Sequence, residues 1–82
     1  MKELIFKGRN VQSWGMETKR YCWKTITYCP ESNMVNILLA SGKILLLYNP
    51  FESDSCFLKD GNDIYALDFL RVEHPRQGYH NV

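Results

Sequence analysis

No apolar run in this sequence approaches the roughly 18 residues of a membrane-spanning helix, so no span is expected. The opening segment, MKELIFKGRN, has only Leu4, Ile5 and Phe6 as consecutive strong apolar residues. That is too short for the core of a signal peptide. Cysteine is scarce and odd in number: Cys22, Cys29 and Cys56. An odd count gives no complete disulfide framework and suits a reducing compartment. A soluble, cytoplasmic protein is the expectation.

Catalytic and metal-binding patterns are missing too. Neither Cys22 nor Cys29 belongs to a C-x-x-C or C-x-x-H pair, and His74 and His80 do not supply the close-paired spacing of structural zinc. There is no Gly-x-Ser-x-Gly elbow and no glycine-rich phosphate loop. Cys56 and His74 pair only on paper, because nucleophilic catalysis also needs an orienting group in hydrogen-bond reach. Asp54, Asp60, Asp63 and Asp68 lack the order of a calcium loop and read as a solvated rim. The expectation is a non-enzymatic protein with no metal and no cofactor.

What the chain does have is apolar patterning. Its 82 residues are 45% hydrophobic and 23% charged, ordinary for one folded domain. The centre is Met34–Tyr48, MVNILLASGKILLLY, in which two apolar runs flank Ser41-Gly42. A two-residue link containing glycine predicts a β-hairpin. Counting outward sets Leu39 opposite Ile44, Ile37 opposite Leu46 and Val35 opposite Tyr48. One face then carries Val35, Ile37, Leu39, Ile44, Leu46 and Tyr48; the other carries Leu38, Leu45 and Leu47 with Asn36, Ala40 and Lys43. A half-solvated hairpin should alternate apolar with polar. Here both faces are apolar, so the second needs cover from the rest of the chain or from another molecule.

The remaining segments also read as strands. Lys2–Lys7 is a first strand, and Arg9–Trp14 a short second strand or a loop with Trp14 at its tip. Arg20–Cys29 is rich in aromatic and β-branched residues, with Tyr21, Trp23, Thr25 and Thr27 on one face. Pro30 ends it. Ser53–Leu58 is a short strand, and Lys59–Asp63 a turn. Ile64–Glu73 reads as a strand, a bend near Asp68 and a second strand, the alternative being a helix capped by Asn62 or Asp63. His74-Pro75 closes the domain at residue 75, and residues 76–82 form a flexible tail. Five or six short strands with tight turns predict a small antiparallel barrel or roll.

From Ile37 onward the order of features resembles the Sm-like, SH3-type barrels. Ile37, Leu39 and Gly42 match an apolar-x-apolar-x-x-Gly segment that starts a hairpin. Leu67, Asp68, Leu70 and, one position early, Val72 match a segment that turns into the last strand. A similar ending occurs in Rof-type regulators of transcription termination and in WYL domains. The resemblance covers about half the chain. It lacks the second glycine and the Asp/Asn nucleotide pocket of Sm proteins, so it implies a barrel and transfers no functional residue.

Charge is uneven despite a net +1. Residues 1–30 hold six Lys/Arg against two Glu, while residues 31–82 hold four against seven Asp/Glu. Two binding readings follow. In the first, the chain inhibits or regulates a larger macromolecular machine by protein contact, through Trp14, Leu38, Leu45 and Leu47, with homodimerisation through the Met34–Tyr48 hairpin as one form of that contact. Small proteins of this character are common among phage and mobile-element products, an analogy of size alone. In the second, Arg20, Tyr21, Trp23 and Lys24 bind single-stranded RNA or DNA, two aromatic rings on one strand face stacking bases beside cations; the alternative for the same rings is the core, since a barrel this small needs large aromatics inside it.

Overall fold

The computed structural model describes residues 2–52 and 55–73. They form β1 (Glu3–Asn10), β2 (Met16–Cys29), β3 (Met34–Leu39), β4 (Ile44–Tyr48), β5 (Phe57–Asp60) and β6 (Asp63–Glu73). Each strand pairs antiparallel with its sequence neighbour, and β1 pairs with β6, so the sheet closes into a six-stranded barrel. Among the described residues there is no helix, hence none long and apolar enough to cross a membrane.

Closure depends on two long strands. β2 gives its first half to β1 and its second half to β3, with a register shift between Trp23 and Thr25. Lys24 is the extra residue. Such a bulge bends a strand and reverses which side chains face inward. Trp23 is therefore inward while Thr25 and Thr27 are exposed, and Ile26 turns toward the core instead. β6 likewise spans β5 and β1, with Lys7 opposite Phe69 and Gly8 opposite Leu67. Asp68 is the extra residue there, so the expected bend near Asp68 is a bulge within one continuous strand, not a break between two. Gly8 lies where the backbones crowd: a Cβ on it would stand 2.8 Å from the Ala66 carbonyl oxygen.

The interior is filled by Leu4 and Phe6 of β1, Trp23 of β2, Val35, Ile37 and Leu39 of β3, Leu45 and Leu47 of β4, Leu58 of β5 and Tyr65 of β6. Phe6 is at the centre, its ring 5.3 Å from that of Tyr65 and 6.0 Å from that of Tyr21. Removing these side chains from water is the main favourable term for a chain of this size.

The central hairpin forms, but one residue out of the expected register. Leu38 faces Ile44, Ile37 faces Leu45 and Val35 faces Leu47. The cause is the turn. Leu39 N–H donates to the Lys43 carbonyl at 2.8 Å and Gly42 N–H to the Leu39 carbonyl at 2.9 Å. Three residues, Ala40–Gly42, thus close the loop, with Gly42 last in it at φ 95°, the geometry of a turn followed by a left-handed residue. A one-residue slip moves every side chain of the strand to the opposite face.

Boundaries differ elsewhere. β1 runs on to Asn10, so Arg9 and Asn10 belong to it, and β2 begins at Met16. The expected strand Ser53–Leu58 is displaced to Phe57–Asp60, and its turn contracts to Gly61-Asn62 because Asp60 pairs with Asp63. Ser53, Asp54, His74-Pro75, the domain end at residue 75 and the tail 76–82 lie outside the described residues.

Candidate docking surface

Strands β3 to β5 and the part of β6 before its bulge alternate, so that every second side chain points away from the core. Those outward residues are mostly apolar: Leu38 on β3, Ile44, Leu46 and Tyr48 on β4, Phe57 on β5 and Ile64 on β6. Register aligns them in rows across the barrel. Leu38 stands beside Ile44; Asn36, Leu46, Lys59 and Ile64 form the next row, and Met34, Tyr48, Phe57 and Ala66 the one after. Ile44 is 57% exposed and Ile64 36%. This contiguous apolar panel is what the surplus hydrophobicity of the hairpin becomes.

Two shallow hollows mark the panel. One, of about 170 Å³, is lined by Ile44, Leu46, Lys59 and Gly61. The other, of about 390 Å³, is lined by Tyr48, Phe57, Lys59 and Ile64. Lys59 is the wall they share and the single charged residue of either lining. Ion pairs elsewhere join Lys43 to Asp60 at 2.6 Å, Arg20 to Glu3 at 3.3 Å and Lys19 to Glu17 at 4.0 Å. Among the described residues no carboxylate lies within ion-pair distance of Lys59.

The expected site residues divide. Trp14 is 65% exposed at the tip of the β1–β2 loop. That loop is well built: Asn10 Oδ1 accepts from the Gln12 and Ser13 N–H groups at 2.9 and 3.2 Å, and Trp14 N–H donates to the Asn10 carbonyl at 2.7 Å. Trp14 itself adopts φ 62°, a conformation bulky residues avoid. Leu38 lies on the panel. Leu45 and Leu47 do not: they are 0% and 4% exposed inside the barrel, because the hairpin register reverses their facing. Their places outside are taken by Ile44, Leu46 and Tyr48. No family model, curated protein or solved structure gives a significant match to this chain.

The aromatic pair expected to stack bases is used otherwise. Trp23 is 8% exposed in the core, with Lys2 Nζ 5.0 Å above its ring. Tyr21 is half-buried, packs on Phe6 and donates its hydroxyl to Asp60. Arg20 is paired with Glu3, and Lys24 is exposed on the bulge. These four residues therefore offer cations but no open two-ring platform.

Where Tyr21 of β2 meets Asp60, the last residue of β5, Lys43 of the β3–β4 loop completes a polar bridge. Burial opposes the charge on Asp60, yet the hydrogen bonds from Lys43 and Tyr21 outweigh it and hold the carboxyl below its usual range. Burial, then the Asp60 bond, pushes the Tyr21 hydroxyl up; the Asp60 bond raises Lys43 as well. This bridge is fully paired and ties β2 and the β3–β4 loop to the end of β5. A depression of about 280 Å³ is lined by Pro50, Phe51, Glu52, Cys56, Leu67, Asp68 and Leu70. Burial raises the Cys56 thiol, which keeps it protonated and weakens it as a nucleophile. Among the described residues no group of three or more His, Cys, Asp or Glu could hold a metal ion.

The residues that sequence reasoning missed are Ile44, Leu46, Tyr48, Phe57, Lys59 and Ile64. Gly42 was the available signal. Read as the end of a three-residue loop, it places Ile44, Leu46 and Tyr48 outside.

Proposed function

We propose that this barrel is a non-enzymatic binding protein that docks its β3–β6 panel onto a protein partner and regulates a larger assembly by occupying a surface on it. One observation carries the reading: the outward side chains of Leu38, Ile44, Leu46, Tyr48, Phe57 and Ile64 adjoin one another across three rows, Ile44 and Ile64 exposed and the other four half-buried, outside a core built from other residues. Exposed apolar patches of this kind mark interaction sites on small soluble domains. Barrel closure supports side-chain packing as the mode of contact. A closed sheet offers no free edge, so strand addition to a partner's sheet is replaced by side-chain packing. Trp14, presented on an ordered loop, is a second anchor of the type enriched among interface hot spots.

The test is affinity capture from the native host with wild type, Leu46→Glu and Trp14→Ala, all checked for fold by circular dichroism. Expected is a partner held by wild type and lost with Leu46→Glu. A partner retained equally by Leu46→Glu would place the interface elsewhere.

A second reading rests on the exposed cations Lys7, Arg9 and Lys24 of β1 and β2: single-stranded nucleic acid along that side of the barrel. Titration of Trp23→Phe, in which Trp14 is the one remaining tryptophan, with mixed-sequence RNA and DNA, followed by its fluorescence at low and physiological salt, tests it. Salt-weakened, saturable quenching supports that reading; no response at low salt removes it.

A further inference from the structure

Lys59 is the feature of the panel that the docking reading leaves unused. It stands in the middle row, between Leu46 and Ile64, and forms a wall of both hollows. Its sequence neighbour Asp60 is engaged by Lys43 and Tyr21. Asp63, in the adjoining turn, is beyond ion-pair distance of Lys59. An apolar partner pressed over these hollows would strip water from an ammonium group with no acceptor, and a buried charge without a partner is strongly unfavourable. The occupant has to bring the acceptor with it.

We infer that the panel takes an acidic–apolar protein segment, one in which a Glu or Asp is flanked by large apolar side chains. The carboxylate accepts from Lys59 Nζ, while the apolar side chains fill the hollow beside Ile44 and Leu46 and the hollow beside Tyr48 and Phe57. This rests on the docking reading and adds the partner's chemistry to it. A second copy of the chain fits less well, because a two-fold axis through the panel centre sets Lys59 against Lys59. A nucleic-acid strand fits less well too, since it needs cations spaced along its backbone, and this face has one among six apolar side chains.

The experiment is selection from a phage-displayed random-peptide library on folded wild type, followed by binding of the enriched synthetic peptides to Leu46→Glu, Lys59→Met and Lys59→Glu. Leu46→Glu reports whether a peptide uses the panel at all. The expected result is panel-dependent peptides with a Glu or Asp between apolar residues, weakened about ten-fold or more by Lys59→Met. Reselection on Lys59→Glu should replace the acidic residue with Lys or Arg. Panel-dependent peptides that lack an acidic residue, or that bind Lys59→Glu as tightly as wild type, overturn the inference and leave the docking surface standing. If no enriched peptide depends on Leu46, the docking reading falls, and the inference with it.

Discussion

Tyr48 and Phe57 face each other across the β4–β5 ladder on the outside of the barrel, while the next pair along, Leu47 and Leu58, faces inward and is buried. One residue of offset separates the candidate interface from the core.

That offset predicts opposite outcomes for adjacent leucines. Leu45→Ala should cost about 2–5 kcal/mol, the range for truncating a buried leucine, and Leu46→Ala about 1 kcal/mol or less. Urea denaturation of the two variants measures the difference. Leu45→Glu should fail to fold, whereas Leu46→Glu should keep the wild-type circular dichroism spectrum.

Gly8 predicts a steric penalty at the seam. A methyl group there meets the Ala66 carbonyl oxygen at 2.8 Å and a Leu67 methyl at 3.1 Å, and overpacking of this kind costs about 1–3 kcal/mol. Gly15→Ala is the control, its nearest neighbour being the Ser13 hydroxyl at 3.4 Å. Thermal melts should show a clear drop for Gly8→Ala and little change for Gly15→Ala.

Trp14 predicts a reversal of the usual order of substitutions. At φ 62° a side chain with a Cβ carries strain of about 1–2 kcal/mol that glycine does not. Trp14→Gly should therefore be more stable than Trp14→Ala by about 1 kcal/mol, despite the greater flexibility of glycine when unfolded. Paired denaturation curves decide it.

Asp60 predicts a pH dependence with a definite sign. Its carboxyl is held below the ordinary value of about 3.9. The stabilisation it gives is complete above that value and is lost as pH falls through the depressed folded-state value. Lys43 and Tyr21 are both raised; their share is complete below about pH 10 and is lost as pH rises toward their folded-state values. Stability measured against pH should show a shallower acid limb in Asp60→Asn than in wild type. An unchanged limb would mean that the bridge contributes nothing.

The strand content of the barrel was legible because alternation is a local property: Arg20–Cys29, the two halves of the central hairpin and Ile64–Glu73 all read as strands before any pairing is known. The facing of side chains was not, and for identifiable reasons. Gly42 fixes the hairpin register through its position inside the loop, and both loop lengths fit the same letters. Lys24 and Asp68 are bulge residues, each of which reverses the inward side of its strand, and nothing in their chemistry announces it. Thr25 and Thr27 thus left the face they were expected to share with Tyr21 and Trp23, and Leu45 and Leu47 changed places with Ile44, Leu46 and Tyr48. Trp14 was legible as a loop tip, flanked as it is by Ser13 and Gly15.

The seam between β1 and β6 runs from Glu3 opposite Glu73 to Asn10 opposite Tyr65. β1 therefore completes its pairing only when β6 is in place. Until β6 arrives, Leu4 and Phe6 have only one of the two flanking strands that bury them, and loop-closure entropy falls due before the contacts that offset it. This meander has local neighbours everywhere except at its single joint, the pairing of β1 with β6. A nascent chain stopped short of β6 would display its largest core residues, an unfinished state for chaperones and proteases to recognise.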